Sequence, residues 1–470
     1  MTVKYCLIRI YCNHLFNKFG LLVISIFCSF VFTGTLFGNS SCYGSFSGND
    51  NSAGASPLKM VKMTEMKETI NYDVLQPGWK ADPDVIREHE ERRPQFIWRE
   101  SEVPDYELPA ILRASDGTTV ASVDQWQQRR AEILNIFRED MYGHRPGLPD
   151  ELTFEVISED GMAMEGAATL RMVEIHSTHE GRQHKFELIL FLPNKTDKPV
   201  PVFLLMNNRS PDNTDPTRQE ISGFWPAEQV IKRGYGIAAI QNSDLAPDDT
   251  EEFLEGIIRL FEGDVAAEDR SPDACGALAA WGWGASRVMD YFETDDRVES
   301  SKVAVLGHSR GGKASLWAGA EDERFSMVIS NNSGSGGAAL SKRCFGETVE
   351  AVNRFTHWFA PNFHRFSGNE EKLHFDQHML LALMAPRALY VASADEDLWA
   401  DPRGEFLSLA HASPVYALWN YSLIGKDQMP PLGEPLVSGP RGYHVRPGGH
   451  NLTPADWHYF MDLADQLWRH

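Results

Sequence analysis

The chain has 470 residues, 42% hydrophobic and 23% charged, with a formal net charge of −22 and a pI near 5.2. That composition suits a globular protein with a large core. The acidic balance excludes nucleic acid and anionic membrane surfaces as the main partner, because their binders carry basic stripes. A cation that meets a ligand must therefore be placed locally.

Lys4, Arg9 and Lys18 precede an apolar run over 20–38, the layout of a secretory signal peptide. Residues 1–38 are assigned to it, and export to the periplasm or the exterior is expected. The run is long enough that an uncleaved anchor stays open. Lipid attachment at Cys42 also stays open, although Asn39 stands where an apolar residue is expected. No later stretch is apolar enough to span a bilayer. Residues 39–60, rich in Ser, Gly and Asn, read as a flexible linker. No internal repeat or second linker follows, so 61–470 is expected to form one domain. Cys6, Cys12 and Cys28 fall in the leader, leaving Cys42, Cys275 and Cys344, whose spacing fits neither a zinc site nor a disulfide framework. Export would permit a Cys275–Cys344 bridge, but isolated thiols are the expectation.

Helical periodicity runs through 123–143, with Trp126, Ile133, Ile136 and Phe137 on one face. Strand-like segments follow at 152–159, 168–177 and 184–194. Apolar runs suited to the centre of a parallel sheet come next, at 201–208, 236–241, 303–309, 326–332 and 388–395. Helical stretches separate them at 227–233, 274–293, 312–321 and 403–413. In the helix at 274–293, Trp281 and Trp283 read as packing residues. The order predicts an α/β class, with a doubly wound, mostly parallel sheet carrying an antiparallel N-terminal edge. Ligands in such folds bind at the carboxyl ends of the strands.

Gly307-His308-Ser309-Arg310-Gly311 fits G-x-S-x-G and sits between an apolar strand and a helix, the context of a nucleophile elbow. A serine hydroxyl is a weak nucleophile that needs a general base, itself oriented by an acid. The fold's chain order is Ser, acid, His, and nine His lie downstream of Ser309. Position favours His450, in a Gly-rich loop just before a C-terminal helix that Thr453 caps and Pro454 opens. His374, Asp376 and His378 form a second cluster, read as structural. The acid belongs in the loop after 388–394, where Asp395, Glu396, Asp397 and Asp401 compete.

Several stretches together resemble the glucuronoyl esterases, carbohydrate esterase family 15, of the bacterial type. They are 307–313, 345–359, 375–387, 399–406 and 447–450, with the lead-in at 105–112 and 126–137. The resemblance implies an α/β-hydrolase fold and hydrolysis of esters joining 4-O-methyl-glucuronic acid of xylan to lignin alcohols. It implies Ser309 as nucleophile, His450 as base and Arg310 as oxyanion stabiliser. Lys313, Glu347 and Trp399 are implied to hold the uronate sugar. Many relatives carry a Glu just before the Ser-Gly-x-Gly-Gly stretch, but here Asn332 stands there. Asn orients by hydrogen bonding and brings no charge, so the resemblance points to Asp397 as acid. A uronate ester is neutral, and attack by Ser309 develops an oxyanion, so Arg310 supplies charge where it appears in the transition state. Lys313, on the first helical turn, can reach toward the same mouth.

Two alternatives remain: an exported acetyl or feruloyl esterase, and a catalytically silent carbohydrate-binding relative. No metal cluster, phosphate loop or dinucleotide fingerprint appears in the sequence, so no cofactor is expected, and a monomer is expected.

Overall fold

Alternation and continuous apolarity divide the sheet between them. The computed structural model describes residues 78–469. The assigned signal peptide (1–38), the linker (39–60) and Cys42 lie outside them. The first strands, Glu151–Met162 (β1), Ala168–His179 (β2) and Arg182–Pro193 (β3), pair antiparallel and bury one face at a time, the mark of a sheet edge half open to water. Val200–Asn207 (β4), Gly236–Gln241 (β5), Val298–His308 (β6), Met327–Asn331 (β7) and Ala388–Ala394 (β8) are apolar on both faces and are buried almost throughout. Two further strands complete the sheet, Leu436–Ser438 (β9) and Arg441–Arg446 (β10).

The ten strands run in the order β1-β2-β3-β5-β4-β6-β7-β8-β10-β9. From β5 to β10 every neighbouring pair is parallel, while β3 meets β5, and β9 meets β10, antiparallel. The expected antiparallel N-terminal edge is present, and the other edge also ends in an antiparallel strand.

Period-two alternation sends successive side chains of the central strands into two cores. Val202, Leu204, Val303, Val305, Leu389 and Val391 face one core. There they meet helices Val123–Asp140 (α1), Ala277–Phe292 (α2), Arg310–Glu321 (α3), Gln377–Ala382 (α4) and Pro402–Tyr416 (α5). Phe203, Leu205, Ala304, Leu306, Tyr390 and Ala392 face the other core, against the C-terminal helix Pro454–Trp468 (α6) and Ala227–Lys232. Trp281 and Trp283 are fully buried in the first core, as packing residues. Around the second histidine cluster the α-helix runs over Gln377–Ala382, where Asp376 caps it by accepting from Gln377 N at 2.8 Å. Thr453 and Asp456 form a reciprocal capping box at the start of α6, with Pro454 in its first turn.

Among the described residues, no helix is long and apolar enough to cross a membrane. Cys275 and Cys344 are both free thiols.

Candidate active site

Strand order changes direction around β4, whose neighbours are β5 on one side and β6 on the other. Crevices form at such reversals, outside the carboxyl ends of the strands. Arg209 follows β4, Ser309 follows β6, Asn332 follows β7, Asp397 follows β8 and His450 follows β10. Five strand ends thus bring together residues spread over most of the chain.

Ser309 has φ 57° and ψ −129°, a left-handed region that β-substituted residues avoid, and it caps α3. Its main chain is fixed on both sides: its N–H donates to Asn331 O (2.9 Å), and its carbonyl accepts from Gly312 N (2.8 Å) and Lys313 N (3.1 Å). The glycines of the elbow are sterically enforced. A Cβ on Gly307 would lie 2.1 Å from Gly311 O, and one on Gly311 would lie 2.9 Å from Asn208 Oδ1 and 3.0 Å from Met206 O.

His450 Nδ1 lies 2.6 Å from Asp397 Oδ2, and the same oxygen accepts from Asn332 Nδ2 at 2.8 Å. Asp397 is buried while the imidazole is 39% exposed, so the ring is anchored at one nitrogen and open toward solvent. Asn332, at φ 47°, adopts a left-handed conformation that Asn enters more readily than most residues. Of the competing residues, Asp395 and Asp401 spend their carboxylates elsewhere, and Glu396 is held by its main chain. Asp395 Oδ1 accepts from Gly448 N at 2.7 Å. Glu396 turns its main chain to Gly448 O and its carbonyl to His89. Asp401 caps α5 and pairs with Arg343 at 2.8 Å.

The loop that carries His450 is not slack, as its glycines suggest, but pinned. Buried Arg446 donates to Pro447 O (3.0 Å), Gly449 O (3.0 Å) and Asn451 O (2.5 Å), and its Nε pairs with Asp456 at 2.8 Å. Under the site, His308 packs its ring 4.4 Å from that of His450. Arg209 Nη2 donates to His308 Nε2 (3.0 Å), so the ring proton belongs on Nδ1, facing Asn331 Oδ1 at 2.6 Å. Burial first, then the charges of His450 and Arg209, hold His308 well below the usual histidine range, and it stays neutral.

Arg310 pairs through Nε with Asp248 and donates from Nη2 to Asn208 O at 2.9 Å. Asp248 is also bound by His357 Nε2 (2.9 Å) and Trp358 Nε1 (2.8 Å). Burial works to raise this carboxyl, but His357, Arg310 and Trp358 outweigh it and keep Asp248 below the ordinary range.

Lys313, Glu347 and Trp399 form one connected group. Lys313 is buried, and its ammonium donates to Ser333 O (2.6 Å), Ser335 O (2.5 Å) and Glu347 Oε2 (2.7 Å). An ammonium has three donors, so all are engaged within the protein. Glu347 Oε1 accepts from Trp399 Nε1 at 3.2 Å. The Trp399 ring carries the Arg93 guanidinium 4.2 Å from its centroid and packs edge-to-face with Phe96 at 4.9 Å. Glu405, fully buried beneath this loop, accepts from Ser333 N (2.8 Å), Gly334 N (3.1 Å) and Ser393 Oγ (2.6 Å).

The second histidine cluster is structural. Asp376 accepts from Ser341 N and Lys342 N, His378 Nε2 bonds Pro109 O at 3.0 Å, and His374 pairs with Asp140. Elsewhere Glu155, Glu174 and His176 converge across the β1–β2 edge, where Lys185 Nζ sits 2.5 Å from Glu174. Sequence reading passed over Arg209, Asp248, His357, Trp358 and Glu405. His357, Trp358 and Glu405 lie within stretches that carry the resemblance, whereas Arg209 and Asp248 are marked only by contacts between distant segments.

A family model described as "Glucuronyl esterase, fungi" matches residues 175–419. The chain is 39% identical over 416 residues to "Carbohydrate esterase MZ0003" of an unknown prokaryotic organism, covering 82% of this chain and 94% of that protein. Among solved structures, a glucuronoyl esterase from Solibacter usitatus aligns with a TM-score of 0.73 and 40% identity, over 78% of this chain and 100% of that one. A structure titled as a promiscuous CE15 esterase from the marine bacterial metagenome aligns at 0.70 and 40%, over 79% and 99% of the two chains. With a family match across just over half of the chain and a relative this similar along most of its length, the chain belongs to the glucuronoyl esterases of carbohydrate esterase family 15, and is a carboxylic ester hydrolase.

Proposed function

We propose that this esterase is exported and cleaves esters between 4-O-methyl-glucuronic acid of xylan and lignin alcohols, with Ser309 as nucleophile, His450 as base and Asp397 as acid. The observation that carries the reading is the 2.6 Å contact between His450 Nδ1 and buried Asp397, beside a serine held in an elbow. Curated relatives named 4-O-methyl-glucuronoyl methylesterase support the acid half of the substrate. The basic and apolar leader at 1–38 supports export.

In this mechanism Ser309 Oγ attacks the ester carbonyl carbon while its proton passes to His450 Nε2. Asp397 fixes the tautomer and balances the imidazolium. The oxyanion meets the N–H of Arg310, the positive end of α3 and the Arg310 side chain. The carbonyl re-forms, the C–O bond to the alcohol breaks, and the alcohol leaves with the proton from His450. Water then attacks the acyl-serine with the same base, and the acid departs as a carboxylate. Lys313 acts by holding Glu347, which together with Trp399 faces the sugar.

Hydrolysis of benzyl glucuronate and of an aryl acetate, measured side by side, tests the reading. The uronate ester is expected to be cleaved with the higher kcat/KM, and Ser309→Ala is expected to abolish both. Acetate release without uronate ester cleavage overturns it. A broader esterase is the second reading, favoured by the full engagement of Lys313 within the protein, which leaves fewer groups to read a sugar. Comparable kcat/KM on both substrates would select it.

A further inference from the structure

Three cations stand around Ser309, and they are not equivalent. Arg310 is paired with Asp248, and Lys313 is paired with Glu347. Arg209 has only neutral partners. Its Nη1 donates to Asn451 Oδ1 (3.0 Å), its Nη2 donates to His308 Nε2 (3.0 Å) and His450 O (3.2 Å), and its guanidinium lies 5.0 Å from the Phe224 ring centre. Among the described residues, no carboxylate comes within 4 Å of it.

This arrangement costs free energy. Burial, and then the charge of Arg310, press the Arg209 guanidinium below its ordinary range. A chain with 66 acidic residues has no shortage of partners, yet none is placed here. A half-buried cation left with neutral neighbours keeps its full charge for whatever enters the crevice. It also sits where the reaction makes charge: one contact is the residue before Ser309, another is the main chain of His450.

We infer that Arg209 is a carboxylate-binding residue, which takes the uronate carboxylate formed when the acyl-serine is hydrolysed. The inference rests on the function proposed above. The neutral ester enters without needing this charge. Once water has cleaved the acyl–oxygen bond and Ser309 Oγ has recovered its proton, the released acid is an anion, and of the three cations beside Ser309 only Arg209 is not paired with a carboxylate. Product is thereby held more tightly than substrate, and release of the acid is sensitive to salt.

The test is a binding measurement on the full chain carrying Ser309→Ala, so that it does not depend on turnover. Glucuronate and its neutral isostere glucuronamide are titrated by calorimetry. Glucuronate is expected to bind at least tenfold more tightly, with the preference shrinking as salt is raised; equal affinities overturn the inference without using any Arg209 variant. Adding Arg209→Gln is expected to abolish the preference, while Arg209→Lys retains most of it. A preference that survives Arg209→Gln assigns the charge to Arg310 and overturns the inference. Loss of the preference in Arg209→Lys equal to that in Arg209→Gln points to positioning by the planar fork, and overturns it too. Should the wild-type chain bind glucuronate with the expected preference but fail to cleave benzyl glucuronate, the proposed function falls and the anion site stands.

Discussion

Asp397 and Asn332 stand at adjacent strand ends, and Asn332 Nδ2 and His450 Nδ1 share one Asp397 carboxylate oxygen. Because Asn332 Nδ2 donates to that oxygen, it also selects which atom of an amide at position 397 would face the imidazole. Asp397→Asn therefore keeps the ring oriented and removes chiefly the charge. A fall in kcat of about 10²–10⁴ is expected, at or below the loss seen where the tautomer is also wrong. A nearly silent Asp397→Asn would instead assign the acid to another carboxylate. Lys313 makes a different kind of prediction. Its pair with Glu347 is buried, so Lys313→Met strands a carboxylate at a cost of about 3–5 kcal/mol. A lower denaturation midpoint, partly recovered by adding Glu347→Gln, checks this. The loss of activity is expected to be greater on a uronate ester than on an aryl acetate.

At the scale of elements, the β6–α3 turn is the most constrained part of the site. The space at Gly307 is closed by backbone, whereas the space at Gly311 is bounded by a side-chain amide and one carbonyl at about the contact limit. Gly307→Ala is expected to lose activity and to lower Tm strongly, and Gly311→Ala to do both less. Equal effects in melting and kinetics would show that the turn opens more easily than its contacts imply. The elements also differ in how legible they were. The central strands could be read because each carries an unbroken apolar run. β10 could not: its sequence, RGYHVR, has three basic residues in six, yet all six are buried. Asp456 at the start of α6 takes both His444 Nε2 and Arg446 Nε, and Arg441 donates from Nε and Nη2 to Ser438 and Ser422 O. Polar burial compensated from another element leaves no local pattern to find. The G-x-S-x-G turn and the loop of His450 were visible because strained turns demand glycine. Asp248 and Arg209 sit on unremarkable loops, and only the completed sheet brings them to the serine. The resemblance named Lys313, Glu347 and Trp399 together, but not that the lysine spends its donors within the protein.

Over the whole molecule, the central carboxyl to watch is Glu405. Burial pushes it up to about 8, with Asp397 adding to the effect, against hydrogen bonds from Ser393, Gly334 and Ser333. In an unfolded chain the same group titrates near about 4.3. Between these values the native state keeps a proton that the unfolded state has released, so this group's contribution to stability is full below the lower value and is lost as pH rises through the upper one. Tm is expected to fall across this window in the wild-type chain and to fall less in Glu405→Gln, which retains an acceptor for the loop and a donor for Ser393. Identical slopes would clear Glu405 of any part in the pH response. Asp376, pushed up to about 6 by burial, acts in the same sense over a narrower range.

The site's spread over five strand ends also sets an order in time. Ser309 is synthesised 141 residues before His450, whose loop lies just ahead of the closing helix. A ribosome can complete the elbow, the proposed oxyanion donors and the Lys313–Glu347–Trp399 group while the proposed base is still unmade. Under the proposed mechanism such a nascent chain holds Ser309 without the histidine that is to take its proton, and stays chemically silent until the loop between β10 and α6 has been made.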